Sequence, residues 1–309
     1  FLITGIGHLS APTLPQLKNI EKFSGQWFHT GLWPKEKVRF EGKDVAVVGT
    51  GASGVQMIQE ISKTAKSLTV FQRHPNWCTP LHNKKISKTE MQEIRNKYPQ
   101  IFQICGESDG GFVHTADDRN ALDVTEEERE KFWEQQYARP GFSMWHGNFK
   151  DVYIDREANR LLSNFVGRKI RSRVDDERIA DLLIPKDHGF GTKRVPQETF
   201  YYEVYNQSNV SLVSLLETPF EFVTRKGLKT TEREYEFDTI VYATGFDAIT
   251  GSFDRIDIRG VNGQSLRESW RRKIVTFLGV QAPAFPNFFM IPGPQVLFAN
   301  HTRLAEFHV

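Results

Sequence analysis

Only two cysteines, Cys78 and Cys105, occur in 309 residues, at no metal-ligand spacing and in no paired array. That sets aside a disulfide-stapled scaffold and points to a reducing, cytoplasmic compartment. A strong charge of either sign is also missing. Forty Lys and Arg against 38 Asp and Glu leave +2, too little to argue for a nucleic-acid partner. No apolar run approaches the roughly 20 residues of a membrane span. The opening FLITGIGHLSAPTLP lacks a basic leader and a cleavage site, and reads as a buried strand followed by a turn. Internal repeats and low-complexity tracts are lacking too. The nine histidines have no Cys or His partners at ligand spacing, so no metal site is expected.

What is present is length, aromatics and one switch of pattern. A chain of 309 residues with 24 Phe is more than one hydrophobic core usually organises, so two domains are expected. Residues 1–22 hold the strand FLITGI. Residues 23–42, including FSGQWFHTGLWP, form an aromatic, glycine-punctuated segment with no obvious helix or strand. Residues 43–240 make a second unit. It opens with KDVAVVGTGASG, VQMIQEISKTA and SLTVFQR, an order of strand, turn, helix and strand that predicts a parallel α/β sheet. Within it, residues 84–185 are charged and helix-periodic and read as a helical insertion, with VTEEERE opening as a helix start. Trp133, Trp145 and Tyr153 are expected to form that insertion's own small core. Short strands return as VSLVSL, FEFVTRKGLKT, EYEFDTIVYAT and FFMIPG, and residues 241–309 close the chain.

The chemistry begins at VAVVGTGASG. Gly49, Gly51 and Gly54 give GxGxxG directly between a strand and a helix. The first glycine allows the tight turn, the second lets backbone approach a pyrophosphate, and the third lets helix pack on strand. The next strand ends in Gln72 and Arg73 with no carboxylate before Glu90. An acid there would hold a ribose hydroxyl, whereas an arginine suits a 2′-phosphate, so NADP is expected rather than NAD. A second cationic pair, Lys193 and Arg194, follows Gly189 and Gly191 on a loop closed by Pro196. From the residues alone, two solvent-facing cations and two functional arms stand as equal readings.

FSGQWFHTGLWP resembles the fingerprint FxGxxxHxxxW, followed by Pro or Asp, of the flavin-dependent Baeyer–Villiger monooxygenases, at Phe23, Gly25, His29, Trp33 and Pro34. The likeness continues through GTGASGVQ, FQRHPNW, PKDHGFGTKRVP, YATGFDAITG and FPNFFMIPGP, and is strongest to the phenylacetone and steroid monooxygenase branch. The resemblance implies two Rossmann-like domains, for FAD and NADP, with residues 23–42 as the linker between them. It implies NADPH- and FAD-dependent conversion of a ketone to an ester or lactone with O2 through a C4a-peroxyflavin. Gly49, Thr50, Gly51, Ser53, Gly54 and Gln56 would line the NADP pyrophosphate and ribose. Arg73 and Lys193 would hold the 2′-phosphate, and Arg194 would be the active-site arginine. Thr244 and Gly245, in ATGFD, would belong to a second linker that returns the chain to the FAD domain.

Departures from the family pattern carry expectations of their own. The family has an earlier GxGxxG for FAD, and this chain has one such motif only. The chain is therefore expected to be a fragment with an incomplete FAD domain, inactive by itself. Leu297 and Phe298 are candidate pocket residues or core residues. A monomer without a membrane or nucleic-acid partner is expected. Alternatives are a related flavin monooxygenase acting on nitrogen or sulfur, or an NADP-binding relative without chemistry.

Overall fold

The computed structural model describes residues 1–108 and 111–294. In chain order the strands are β1 (Leu2–Thr4), β2 (Gln26–His29), β3 (Asp44–Val48), β4 (Ser67–Gln72), β5 (Thr79–Pro80), β6 (Gln197–Glu198), β7 (Val210–Ser214), β8 (Phe220–Val223), β9 (Gly227–Thr230), β10 (Glu234–Glu236), β11 (Thr239–Tyr242) and β12 (Phe288–Met290). The helices are α1 (Ala52–Ile61), α2 (Lys88–Asn96), α3 (Tyr98–Glu107), α4 (Glu126–Ala138), α5 (Ser143–His146), α6 (Arg156–Arg171), α7 (Glu177–Leu183), α8 (Gly251–Asp254) and α9 (Leu266–Arg272). Among the described residues no helix is long and apolar enough to cross a membrane.

Apolar runs without alternation suit strands covered on both faces. β3 and β4 are buried along all but their first residue, and β11 throughout. They form the centre of a five-stranded sheet, β2-β11-β3-β4-β7, parallel at every pairing. The period of two along each strand then sorts their side chains between two layers. Val45, Val47, Leu68, Val70 and Val241 share one core with α1 and the helical region. Ala46, Val48, Phe71, Ile240 and Tyr242 share another with Val223, Leu228 and Tyr235 of the antiparallel sheet β8-β9-β10. A third cluster, with Phe253, Trp270, Phe285 and Met290, lies by the parallel pair β1-β12.

The helical region starts as its sequence indicates. Thr125 and Glu128 form a reciprocal capping box on α4. On α6, Asp155 caps the N-terminus while Arg168, Lys169 and Arg171 occupy the last turn, matching the helix dipole at both ends.

Several readings of the sequence need correction. FSGQWFHTGLWP is not free of regular structure: Gln26–His29 add an edge strand, in register with Thr239–Tyr242. FEFVTRKGLKT is not one strand but the hairpin β8-β9, and Gly227 lets β10 pair closely with β9, where a Cβ would lie 1.9 Å from the Tyr235 carbonyl oxygen. EYEFDTIVYAT divides at Phe237–Asp238 into strands of two different sheets. The insertion has no separate core either. Trp133 and Phe165 belong to the cluster that contains Val45 and Val70, so the helices close one face of the parallel sheet.

Candidate functional site

β3 leads through Gly49, Thr50 and Gly51 into α1. Gly49 has φ 106°, and a Cβ there would meet the Ala243 carbonyl oxygen at 2.6 Å, so the turn requires glycine. A Cβ on Gly54 would meet the Gly49 carbonyl oxygen at 2.2 Å, which measures how closely α1 sits on the turn. At Gly51, the residue that caps α1, a Cβ would have nothing within 4 Å. The first turn of the helix carries no acid, and its leading N–H groups have no carbonyl partner within the helix. A positive helix end therefore faces open space at the one glycine of this motif without a packing duty, a cradle that fits a pyrophosphate.

This turn forms one wall of a cleft of about 710 Å³, lined also by Arg73, His74, Thr244 and Gly245. Thr50 is buried, and its Oγ1 donates to the His74 carbonyl at 2.9 Å, fastening the turn to the end of β4. On the opposite wall, Thr244 Oγ1 donates to the Thr13 carbonyl at 2.6 Å and Thr13 N–H donates to the Gly245 carbonyl at 3.0 Å. Arg73 is exposed, without an ion pair among the described residues. Ser53 and Gln56 lie on the exposed face of α1 and not in the cleft wall.

The loop that carries Lys193 and Arg194 is fixed at both ends. Trp77 Nε1 donates to the His188 carbonyl at 3.0 Å, and Asn159 Nδ2 donates to the Phe190 carbonyl at 2.9 Å. Asn76 Nδ2 reaches the Arg194 carbonyl at 3.3 Å. Just beyond the loop, Arg173 clasps the fully buried carboxylate of Glu198 at 2.7 and 3.0 Å and that of Glu203 at 2.6 and 2.8 Å. Gln59 of α1 accepts from the Thr199 and Phe200 N–H groups at 2.7 and 3.0 Å. The glycine-turn helix and the cationic loop are thus one rigid assembly.

Lys193 Nζ lies 3.5 Å from Asp187 Oδ2, and His74 Nδ1 lies 3.7 Å from the same oxygen. His188 Nδ1 holds Oδ1 at 2.7 Å. Burial pushes the Asp187 carboxyl up, but the His188 hydrogen bond and the Lys193 charge outweigh it and hold the group below its ordinary range. Burial also holds the His188 imidazole below its usual range. Arg194 is exposed and without an ion pair among the described residues. The sequence reading singled out neither His74 nor Asp187. A basic residue directly after Arg73 was the available signal for the first, and nothing local marks the second.

The fingerprint residues interlock around the edge strand. His29 is buried; its Nδ1 accepts from the Gly31 N–H at 3.0 Å and its ring meets Phe246 edge-on at 5.8 Å. Gly25 serves close approach and not backbone freedom, since a Cβ would lie 2.4 Å from the Phe23 ring and 2.8 Å from the Asp238 carbonyl oxygen. Trp33, exposed beside half-buried Pro34, packs on Phe28 and Phe40 at 5.3 and 6.3 Å. Leu297 and Phe298 lie outside the described residues.

A parallel α/β sheet with a glycine turn at its centre and arginine at the next strand end defines a dinucleotide-binding protein. The comparisons narrow that class. Residues 2–94 match the family described as flavin-binding monooxygenase-like. The chain is 49% identical over 300 residues to the 2-oxo-Δ3-4,5,5-trimethylcyclopentenylacetyl-CoA monooxygenase of Pseudomonas putida, covering 95% of this chain and 55% of that protein. It is 42% identical over 311 residues to the cyclopentanone 1,2-monooxygenase of Comamonas sp., covering 99% and 56%. A crystal structure of OTEMO in complex with FAD and NADP superposes with a TM-score of 0.94 at 47% identity, covering 99% of this chain and 59% of that one. Over 95–99% of its length the chain is similar to monooxygenases, and a further relative, 36% identical, is named a Baeyer–Villiger monooxygenase; the chain spans about half the length of the curated relatives it matches.

Proposed function

We infer that this chain works within an NADPH- and FAD-dependent Baeyer–Villiger monooxygenase that inserts one oxygen atom of O2 beside the carbonyl of a ketone, giving an ester or lactone. The observation that carries the reading is the meeting, in one cleft, of the open Gly51 cradle and Arg73, which has no ion pair among the described residues, in a chain 49% and 42% identical to two ketone-type monooxygenases. Both of those relatives are named for five-membered rings, which favours a cyclopentanone-type substrate here.

The roles of the residues follow from charge and position. Gly49, Gly51 and the N-terminus of α1 would seat the NADP pyrophosphate, with Thr50 holding the turn in shape and Ser53 and Gln56 bordering it. Arg73 and Lys193 would bind the 2′-phosphate, the first as a planar donor fork and the second as a point charge. Thr244 and Gly245 would close the cleft from the far wall. Arg194, uncommitted to any carboxylate among the described residues, would stabilise negative charge developing on the reacting oxygens. FAD, when bound, supplies the electron relay from NADPH to dioxygen. The 309 residues contain a single GxGxxG turn, and we assign it to NADP.

The test is NADPH oxidation by the whole enzyme within which this chain works, purified with FAD, with and without cyclopentanone, and with the lactone measured by gas chromatography. Ketone-stimulated oxidation with lactone formation is expected. Stimulation by amines or sulfides without lactone would replace this reading with nitrogen or sulfur oxygenation. NADP binding without flavin absorbance or turnover would leave a binding function alone.

A further inference from the structure

With about 3.6 residues per turn, Arg156, Arg160, Arg168 and Arg171 fall within about 120° of the circumference of α6 and along about 22 Å of its length. Together with Lys186 they line a groove of about 660 Å³ between α6 and residues 181–189. Among the described residues, three carboxylates answer these five cations. Glu157 holds Arg160 and Glu130 holds Arg168, both from outside the lining, while Asp181, the one carboxylate within it, serves Arg171 at 2.8 Å and Lys186 as well. Arg156 is exposed and has no ion pair among the described residues. The arginines and the lysine of these pairs are exposed too, and such pairs are weak and screened by salt, so they leave the cations open to a stronger acceptor. A phosphate is that acceptor, since its oxygens match a guanidinium fork two at a time.

The groove also carries an atom that asks for a donor. His188 lines it with a side chain only 3% exposed. Its Nδ1 donates to the Asp187 carboxylate at 2.7 Å, because that oxygen can only accept. In the neutral ring Nε2 is then an acceptor, and it has no hydrogen-bond partner among the described residues. A buried acceptor left alone is costly, and a ligand N–H would satisfy it. A neighbouring pocket of about 220 Å³ shares Arg156 and His188 with the groove and adds Thr192, next to Lys193, so the site continues toward the cationic loop.

We propose that this groove binds a nucleotide-type carrier of the coenzyme A kind, with its phosphates on the arginine row of α6 and one of its N–H groups on His188. The groove and the dinucleotide cleft have no lining residue in common, and the proposal stands apart from the oxygenation reading.

The test is isothermal titration of the whole enzyme within which this chain works with coenzyme A and with inorganic pyrophosphate, under saturating NADP+ so that the dinucleotide cleft is filled. Coenzyme A is expected to bind at least about fivefold more tightly than pyrophosphate, which has neither the length nor the N–H groups. Arg156→Gln with Arg171→Gln should weaken both ligands at least about tenfold, and Arg225→Gln, an exposed cation on the β8-β9 hairpin, should weaken neither. Should the double variant melt early, Lys186→Gln, outside the helices, is expected to weaken coenzyme A about threefold. Absence of coenzyme A binding, or an affinity that the groove substitutions leave unchanged, would overturn the site. Pyrophosphate bound as tightly as coenzyme A would overturn the carrier, and an equal loss on Arg225→Gln would reduce the effect to net charge and overturn it too.

Discussion

Two alanine substitutions in the glycine turn separate packing from binding. A Cβ on Gly54 falls 2.2 Å from the Gly49 carbonyl oxygen and 3.5 Å from Ala243 Cβ. The contact with the oxygen is short by roughly 1 Å, and the obstacle is backbone, which has no rotamer to swing away. Overpacking of this kind costs about 1–3 kcal/mol. Alanine's helical preference over glycine returns up to about 1 kcal/mol, less in a first turn, leaving a net loss of about 1–2 kcal/mol. For a chain of this size that lowers the melting temperature by about 2–6 °C. It also moves the positive end of α1 off the turn, so NADP+ affinity falls too.

Gly51→Ala should behave in the opposite way. Its Cβ meets nothing within 4 Å and its φ of −74° is open to any residue, so the cost is the weaker helix capping of alanine, below about 1 kcal/mol. The same methyl occupies the space through which backbone would approach the pyrophosphate. NADP+ binding should fall at least about tenfold, or about 1.4 kcal/mol. Scanning calorimetry and isothermal titration on the two variants read the contrast. A Gly51→Ala chain that melts and binds NADP+ like the native one would refute the cradle, and an unshifted Gly54→Ala melt would refute the steric argument.

Arg173→Met leaves the buried Glu198 carboxylate unpaired and should cost about 3–5 kcal/mol in urea unfolding, with much of it restored when Glu198→Leu is added. In the whole enzyme, Arg194→Ala should lower ketone turnover about 10²- to 10³-fold, leaving the melting temperature and the NADP+ affinity unchanged; near-native lactone formation would remove Arg194 from the chemistry. Asp44, held by the Lys66 hydrogen bond at 2.8 Å and by Ser67 Oγ at 2.6 Å, lies below the usual carboxylate range. A lowered folded-state value means that its stabilisation is complete above about pH 4 and is lost as pH falls below that. Asp44→Asn should therefore flatten the stability profile on the acid side only.

What could be read in the sequence was local, and what could not was assembled from distant segments. β3, the turn, α1 and β4 lie within Asp44–Gln72 and carry their signal in glycine spacing and unbroken apolar runs, so strand order and turn chemistry follow directly. Thr125 and Asp155 announce their helices within a few residues for the same reason. β2 carries no such signal: Gln26 and Trp27 are exposed, His29 alone in it is buried, and its partner is β11, some 200 residues later in the chain. A short edge strand has neither the alternation nor the full burial that marks a strand by itself, and only its pairing defines it. The fusion of the helical region with the sheet core is non-local in the same way, since Trp133 reads as the centre of an independent unit until Val45 and Val70 are placed beneath it. The cationic site combines both kinds of information. Arg73 follows from its position after the motif strand, whereas Asp187, which gathers Lys193 and His74 beside it, is visible only once the loop has folded against β4. The arrangement of charge beside this cleft is thus written partly in a residue next to the motif and partly in a carboxylate far from it.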